Sequence, residues 1–447
     1  MARPADTIFA LSSGPGRGAI AVIRLSGPEA GAALVRLGSK ALPAPRAATL
    51  RALYEPSSGE ALDQALVLWL PGPSSFTGED MAELHLHGGR AVVAGVLEAL
   101  AVLPGLRPAE PGELARRAFD HGRLDLVAAE GIADLINAET AAQRRQALRQ
   151  MDGALSTLYE GWRGAIIEAM ALAEADIDFS DQDLPDWLGD AGRQRIEALA
   201  SSIERHLDDA RRGELVRDGF EIAIVGAPNA GKSSLMNALA KRPVAIVAET
   251  AGTTRDVVEV RLDLEGFPVI LADTAGLRES ADAIEAEGVR RALARAERAD
   301  LRIVVLDGTA LPKTPSTVSK LIDEAALVVI NKTDIAKDIS LSTRDAGSKS
   351  LLISCRTGAG LNGLVTRLSE VAKTRMAEQA APALTRVRHR VALVDAASSL
   401  RRAVEGRAPE LVAEDLRLAA RALGRVTGRV DVEDILDQVF RSFCIGK

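Results

Sequence analysis

Apolar residues recur along this chain in two rhythms, and the change of rhythm divides it. Up to about residue 120, short apolar runs alternate with Gly and Pro, the pattern of strands and turns. Ile8-Phe-Ala10 and Ile20-Ala-Val-Ile-Arg-Leu25 read as strands joined across Gly14-Pro-Gly-Arg-Gly18. That loop links strand to strand and opens no helix, so it is a tight turn and not a phosphate site. A helix is expected from about Pro28 to Leu37. Ala65-Leu-Val-Leu-Trp-Leu70 is a strand stopped by Pro71-Gly-Pro73. Asp80 to His87 alternates like a half-buried strand and ends at Gly88-Gly89, before a helix through Leu103.

From about Leu124 to Arg217 the spacing becomes helical, in alanine-rich segments that begin near Ala128. An acidic loop, Phe179 to Trp187, interrupts the helices, and Ile196 to Val216 resumes them. Fully apolar runs then return, among them Ile222-Ala-Ile-Val225, Val269-Ile-Leu-Ala272, Leu327-Val-Val-Ile330 and Leu351-Leu-Ile353, as expected for buried parallel strands. Helices resume from about Thr385, with Glu414 to Leu423 strongly amphipathic. The expected plan is therefore multidomain, α/β and α. Residues 1–122 form an N-terminal α/β domain, 123–217 and 374–447 two parts of a helical domain, and 218–373 an inserted α/β domain. Insertion suits a domain whose termini lie close together.

The inserted segment carries the densest chemistry. Gly226-Ala-Pro-Asn-Ala-Gly-Lys232-Ser233 sits between the strand 222–225 and a helical stretch, Ser234-Leu-Met-Asn-Ala-Leu239, which is the context a phosphate-binding loop requires. Its glycines let backbone N–H groups and a helix N-terminus converge on one anion. Lys232 would meet the β- and γ-phosphates, and the Ser233 hydroxyl would hold Mg²⁺. Asp273-Thr274-Ala275-Gly276 closes a strand with a carboxylate facing that metal. Asn331-Lys332-Thr333-Asp334 closes another, and the Asp334 carboxylate can accept from both N1–H and the 2-amino group of guanine. Ser354-Cys355-Arg356 can offer backbone to the guanine O6. In this order the sets resemble a Ras-like P-loop GTPase domain, which makes GTP the ligand and excludes an ordinary ATPase. A GTPase inserted into helices is placed to turn nucleotide state into their motion.

Two departures narrow the type. Leu277 stands where Ras-type enzymes place the glutamine that orients the attacking water, so another group must do so. No charge-neutralising Arg finger is evident, yet Asn229 offers a side-chain carbonyl beside the phosphates. It is either a plain turn residue or part of a monovalent-cation site. Glu249-Thr-Ala-Gly-Thr-Thr254 ends a segment long enough to arch over the nucleotide, with Thr254 as the Mg²⁺-sensing hydroxyl.

Composition changes the picture little. The chain has 447 residues, 47% of them hydrophobic and 26% charged, and a net charge of −7, which argues against indiscriminate nucleic-acid binding but not against a local site. Two cysteines, Cys355 and Cys444, build no disulfide framework, and neither a secretion signal nor a membrane span is legible, so a cytoplasmic protein is expected. Arginine pairs such as Arg144-Arg145 and Arg401-Arg402 read as solvated helix faces. His85 and His87 share a strand face without a third ligand, which disfavours a metal. Arg24, inside an apolar strand, needs a partner. An internal pair with Glu83 and a pocket for a polar small molecule are equally good readings.

From end to end the chain resembles the bacterial tRNA-modification GTPases of the MnmE (TrmE) type. The match is carried by Asp6-Thr-Ile8, Pro15-Gly-Arg-Gly18, Arg24-Leu-Ser-Gly27, Ser75-Phe-Thr-Gly-Glu-Asp80, His87-Gly-Gly89, Pro111-Gly-Glu113 and Arg123-Leu-Asp-Leu126, and most specifically by the tail Phe443-Cys-Ile-Gly-Lys447. The resemblance implies a homodimer that works with an FAD-dependent partner protein, in a heterotetramer, to install an aminomethyl-type (carboxymethylaminomethyl) group at C5 of the wobble uridine of certain tRNAs. It implies an N-terminal domain that binds a 5-formyl- or methylene-tetrahydrofolate and dimerises. Arg24, Glu83, Arg123 and Lys447 fall on the folate positions, Arg123 where lysine is commoner. Asn229, Ala248, Thr250 and Thr253 fall on the K⁺ positions of GTPase domains that pair across their nucleotide faces. Ala248 replaces a commoner threonine but keeps its carbonyl. Ala230, Gly231, Ser234, Glu249, Ala251 and Gly252 complete the GTP contacts. Glu285 falls on the water-positioning glutamate, although from sequence alone it is an ordinary first-turn helix acid. Cys444 is expected to pack as a small buried thiol.

Overall fold

Alternation in the first hundred residues does build a sheet. The computed structural model describes residues 6–178, 190–246, 259–273, 295–311, 316–336, 350–377 and 381–446, apart from positions 15, 39, 407, 431, 432, 442 and 444. By internal contacts the chain forms two compact units. One comprises Met1–Ala133, Gln150–Ile196 and Ser398–Lys447, the other Asp134–Arg149 and Glu197–Ala397.

In the first unit β1 (Thr7–Leu11), β2 (Ile20–Ser26), β3 (Thr49–Tyr54), β4 (Ala61–Leu70), β5 (Met81–His87) and β6 (Leu106–Pro108) lie in the order β3-β4-β5-β2-β1-β6. All pairs are antiparallel except β1 with β6. Ile23, Leu25, Val67, Leu84 and Leu86 face Leu34 and Leu37 of α1 (Ala30–Gly38) and Val96 and Leu100 of α2 (Arg90–Ala101). The opposite face buries Ile8, Ala10 and Met81 with Leu114 of α3 (Glu113–Asp120). β3 and β6 were not expected: β3 is a short edge strand and β6 has only three residues, so neither presents an apolar run.

Arg117 of α3 is the polar anchor here. Its side chain is only 9% exposed, and it bonds Asp6 (2.9 Å), Glu79 (3.0 Å) and Glu113 (3.2 Å). Burial pushes the Asp6 and Glu113 carboxyls up, but hydrogen bonds from Arg107 and the nearby Arg117 charge outweigh it, and both titrate below the usual carboxylate range. Removing the arginine would take a donor from each of these largely buried carboxylates, of which Asp6 and Glu113 keep Arg107. Arg117→Ala should therefore cost about 3–5 kcal/mol of stability, read as a lower melting temperature. Carboxyls with depressed folded pKa values stabilise above their unfolded pKa and lose that contribution as pH falls. The gap between variant and wild type should thus narrow in acid. A constant gap from pH 7 to pH 3 would show that the penalty is a packing loss.

The helices of this unit pack the long α6 (Ala154–Asp178) against α12 (Pro409–Thr427), with Glu160 accepting from Thr427 at 2.8 Å and from Arg429 at 2.7 Å. α4 (Leu126–Ile136) begins here. With Ala115 and Phe119 it meets Leu436 and Phe440 of α13 (Glu433–Arg441). The tail then returns to the sheet: Ile445 bridges Pro111, and the Ser12 hydroxyl donates to the Gly446 carbonyl at 2.7 Å.

In the second unit β7 (Phe220–Gly226), β8 (Glu259–Leu264), β9 (Phe267–Asp273), β10 (Leu301–Asp307), β11 (Ala326–Asn331) and β12 (Leu351–Leu352) order as β12-β11-β10-β7-β9-β8. All pairs are parallel except the edge pair β8–β9. One face packs on α9 (Lys232–Ala240) and α10 (Leu361–Met376), the other on Ala296, Ala299 and Val318. α5 (Ala141–Met151) leans on the β8–β9 hairpin, where the Ala142 amide donates to the Gly266 carbonyl at 2.9 Å. The helical stretch expected over 196–216 is two helices, α7 (Asp190–Leu207) and α8 (Arg212–Asp218). Ala210 and Arg211 between them take φ of 52° and 59°, and Asp209 accepts from the Arg211 amide. Asp134 receives Arg217 at 3.2 Å and Arg386 at 2.7 Å, joining the stretch before β7 to the stretch before α11 (Val387–Glu405).

Candidate nucleotide site

The carboxyl ends of β7, β9, β10, β11 and β12 converge, the place where an open α/β sheet binds ligands. β7 and β9 run parallel, as do β7 and β10, so the crossovers on either side of β7 diverge and leave a crevice there. The loop from Gly226 turns through it into α9. Gly226 is required because a Cβ there would sit 2.3 Å from the Val305 carbonyl oxygen. Gly231 is required twice: its φ is 101°, and a Cβ would lie 2.2 Å from Asn331 Nδ2.

A cavity of about 700 Å³ opens above, bounded by Asn229, Gly231, Lys232, Ser233 and Ser234 on one side and by Asn331, Lys332, Asp334, Cys355 and Arg356 on the other. Two motifs a hundred residues apart in sequence thus share one space. Asn331 ties them: its Nδ2 donates to the Ala230 carbonyl at 3.0 Å, and its Oδ1 accepts from the Cys355 amide at 3.1 Å. At the phosphate end Lys232 is buried, and its Nζ donates to the carbonyls of Gly226 and Ala227, both at 3.0 Å. Burial pushes its ammonium down, partly offset by the Asp273 carboxylate. An anion in the loop would reverse that burial cost. The Ser233 hydroxyl donates to Asp273 Oδ2 at 2.9 Å. Two oxygens at a helix N-terminus, one of them anionic, fit Mg²⁺, which takes one or two protein oxygens and completes its shell with phosphate and water.

At the base end Asp334 accepts from the Ser354 hydroxyl (2.6 Å) and from Arg356 Nε (2.7 Å), which hold its carboxyl below the usual range. Thr333 donates to the Ile353 carbonyl at 2.9 Å and so braces the loop. Burial, then the Asp334 charge, pushes the Cys355 thiol up to about 11, so its side chain is a neutral filler and its amide is the working group. Sequence reading missed Asp307. It ends β10 as Asn331 ends β11, and its Oδ2 receives Lys332 Nζ at 2.6 Å, fixing a lysine whose own φ is 64°. The signal was available as an acid closing the apolar run Ile303 to Leu306.

Asn229 lies at the rim with φ of 62°, and its side chain is exposed. Residues 248–254, Thr274, Ala275, Gly276, Leu277 and Glu285 fall outside the described residues, as do Cys444 and Lys447. Of the residues singled out in the first unit, Arg24 and Glu83 are cross-strand partners joined at 2.8 Å, with His85 on the other Glu83 oxygen at 3.1 Å. Arg123 is exposed after α3, with its side chain near Gly78. Among the described residues no helix is long and apolar enough to cross a membrane.

Similarity to known proteins extends over nearly the whole chain. The model of the "GTP-binding protein TrmE N-terminus" matches residues 7–123, and that of the "MnmE helical domain" matches 126–444. The chain is 57% identical over 442 residues to the tRNA modification GTPase MnmE of Paramagnetospirillum magneticum, covering 99% of this chain and 100% of the relative. It is 56% identical to that of Rhodospirillum rubrum, with 99% of each covered. It is 48% identical to a mitochondrial 5-taurinomethyluridine-[tRNA] synthase subunit of Danio rerio, covering 99% of this chain and 93% of that one. With a phosphate loop and a guanine-type Asn-Lys-Thr-Asp set facing one cavity, this is a P-loop GTPase with an N-terminal TrmE domain and a helical domain, and it belongs to the MnmE family of tRNA modification GTPases.

Proposed function

We propose that this GTPase acts on tRNA with an FAD-dependent partner protein, adding an aminomethyl-type group at C5 of the wobble uridine, with a tetrahydrofolate derivative as one-carbon source. The observation that carries the GTPase half is the single cavity shared by Lys232, Ser233 and Asp334. Lys232 would bind the β- and γ-phosphates, Ser233 and Thr254 would hold Mg²⁺, and Asp334 would read the guanine edge. Magnesium supplies neutralising charge at the phosphates. Leu277 has no group to orient water, and Glu285 takes that role in this reading. Asn229, with the carbonyls of Ala248, Thr250 and Thr253, would hold K⁺ where other GTPases place an arginine, with two copies meeting across their nucleotide faces. In the N-terminal domain Arg24, Glu83, Arg123 and Lys447 would hold the folate. The Arg24–Glu83 ion pair is compatible with that role, since a charged pair on a half-open sheet face can be shared with a polar ligand.

Nucleoside mass spectrometry of tRNA from cells lacking the protein tests the whole reading. The 5-substituted wobble uridines should disappear and return with the intact gene but not with Lys232→Ala. An unchanged profile would leave a GTPase switch without this modification. The identity of the lost nucleoside also reports which group is added. The cation step has its own check: hydrolysis should run faster in KCl than in NaCl and rise with protein concentration. Equal rates in the two salts would remove K⁺ from the mechanism.

A further inference from the structure

Asp307 lies outside every nucleotide motif read from the sequence, yet its side chain reaches into one of them. Both of its carboxylate oxygens are engaged. Oδ2 accepts from Lys332 Nζ at 2.6 Å, and Oδ1 accepts from the amide (2.9 Å) and the hydroxyl (2.7 Å) of Thr309. The Thr309 pair fixes the carboxylate, and so fixes the oxygen offered to Lys332. The loop that carries it is keyed to the end of β11: the Gly308 amide donates to the Asn331 carbonyl at 2.8 Å. A Cβ on Gly308 would lie only 2.8 Å from that same oxygen. Burial pushes the Asp307 carboxyl up, but the hydrogen bonds from Lys332 and Thr309 outweigh it and hold it below the usual range.

Lys332 itself lines the nucleotide cavity while its ammonium is turned onto Asp307. Its left-handed backbone is unfavourable for a residue with a side chain, and such strain persists where the surroundings over-determine it, often at ligand clamps. Here its carbonyl accepts from the amides of Ile335 (3.1 Å) and Ala336 (3.2 Å), which closes the turn. The Lys332 and Asp307 side chains are 32% and 19% exposed, so this is not a solvated surface pair of little consequence. With its ammonium neutralised at the wall, the lysine has its stem left to offer a ligand.

We infer that Asp307 is a positioning residue for the guanine nucleotide: by holding the Lys332 ammonium, it lays the lysine stem along the base end of the cavity before the ligand arrives. The inference rests on the guanine-nucleotide site described above. Lysine stems bury along apolar surface while the charged head seeks polar surroundings, and the flat face of a purine is such a surface. A free lysine stem samples many rotamers, and ordering it on binding weakens affinity. The pair with Asp307 has already ordered it. Without that carboxylate the ammonium would turn to water and draw the stem off the base.

Release of a fluorescent GDP from the full chain, measured beside GTP hydrolysis, tests this. In Asp307→Asn, GDP should dissociate faster and its affinity fall about tenfold, within the range for groups coupled in one ion-paired network. KM should rise by a similar factor, while kcat at saturating GTP stays near wild type, because Asp307 touches no reacting atom. D307N/K332M keeps a long stem without the charge, and should recover most of the lost affinity. Thr309→Val frees one side of the carboxylate without changing any charge, and should speed GDP release to a smaller extent. Wild-type affinity in Asp307→Asn overturns the inference. A loss that D307N/K332M does not recover also overturns it, and assigns Asp307 to holding the fold of the loop. Should Asp307→Asn melt early, Thr309→Val decides: faster release at an unchanged melting temperature supports the inference, and wild-type release overturns it. A wild-type chain that binds no GDP overturns the guanine site itself, and this inference with it.

Discussion

Asp334→Asn should exchange the base preference of this enzyme, from guanine to xanthine. The carboxylate can accept two donors on one edge of guanine, its N1–H and its 2-amino group. An amide keeps one acceptor and turns a donor toward the other, which clashes with the 2-amino hydrogens. Xanthine carries an oxygen at that position and matches the amide. The surroundings also dictate how the amide sits. Arg356 Nε can only donate, so the new Oδ1 must face it, whereas the Ser354 hydroxyl can rotate to accept from the new nitrogen. The Arg356 bond is therefore kept, while the buried Ser354 hydroxyl gives up its present acceptor. Sites built to hydrogen-bond a particular edge reject its analogue by large factors, so GTP affinity should fall at least roughly 100-fold. XTP should be hydrolysed at a rate near that of GTP in wild type. Competition binding with GDP and XDP measures both. Loss of GDP binding without any gain of XDP would mean that the loop collapses when the ion pair with Arg356 is weakened.

Gly231→Ala should abolish nucleotide binding while the two core sheets remain folded. The new methyl would meet Asn331 Nδ2 at 2.2 Å, a distance no rotamer of alanine can relieve, and the backbone there has φ of 101°. Either the phosphate loop moves or Asn331 does. If Asn331 moves it loses its bond to Ala230, and with it the support of the Cys355 amide. Strain at such a backbone position costs about 1–3 kcal/mol before the clash is counted. Together they should weaken GDP binding beyond roughly 100-fold, about 2.7 kcal/mol. Circular dichroism should stay near wild type, because α9 and β7 are held by the core around Ile222, Ile224 and Leu235. A variant that binds GDP normally would show that the loop and the Asn331 loop move independently.

These two residues also mark what could be learned from sequence. Gly231 and Asp334 were legible because their motifs are local: the spacing of a few residues at a strand end is itself the chemistry. Asp307 was not singled out, because its partner Lys332 lies 25 residues on and belongs to a motif that reads as complete without it. The Arg117 cluster was hidden for the same reason, since it gathers Asp6, Glu79 and Glu113 from separate elements. β3 and β8 escaped because edge strands bury few residues and so carry only a faint period. The break between α7 and α8 escaped because helical spacing persists through it, while the two left-handed residues that make the break are an alanine and an arginine. The Arg24 question, open on charge alone, acquires an ion pair in the structure without losing the ligand alternative.

The return of the tail to the first sheet has a consequence for synthesis. Ser12 finds its acceptor, the Gly446 carbonyl, 434 positions downstream. On the ribosome the six-stranded sheet can form early, since its strands all lie before residue 109. The inserted GTPase sheet emerges next, and domains fold as units while the chain is still growing. The hydroxyl of Ser12 and the backbone of Pro111 must wait through all of it. The region around them is finished only once residues 445 and 446 have been made. A nascent chain stalled after the GTPase sheet would accordingly carry a finished nucleotide site while Ser12 and Pro111 still lacked their partners.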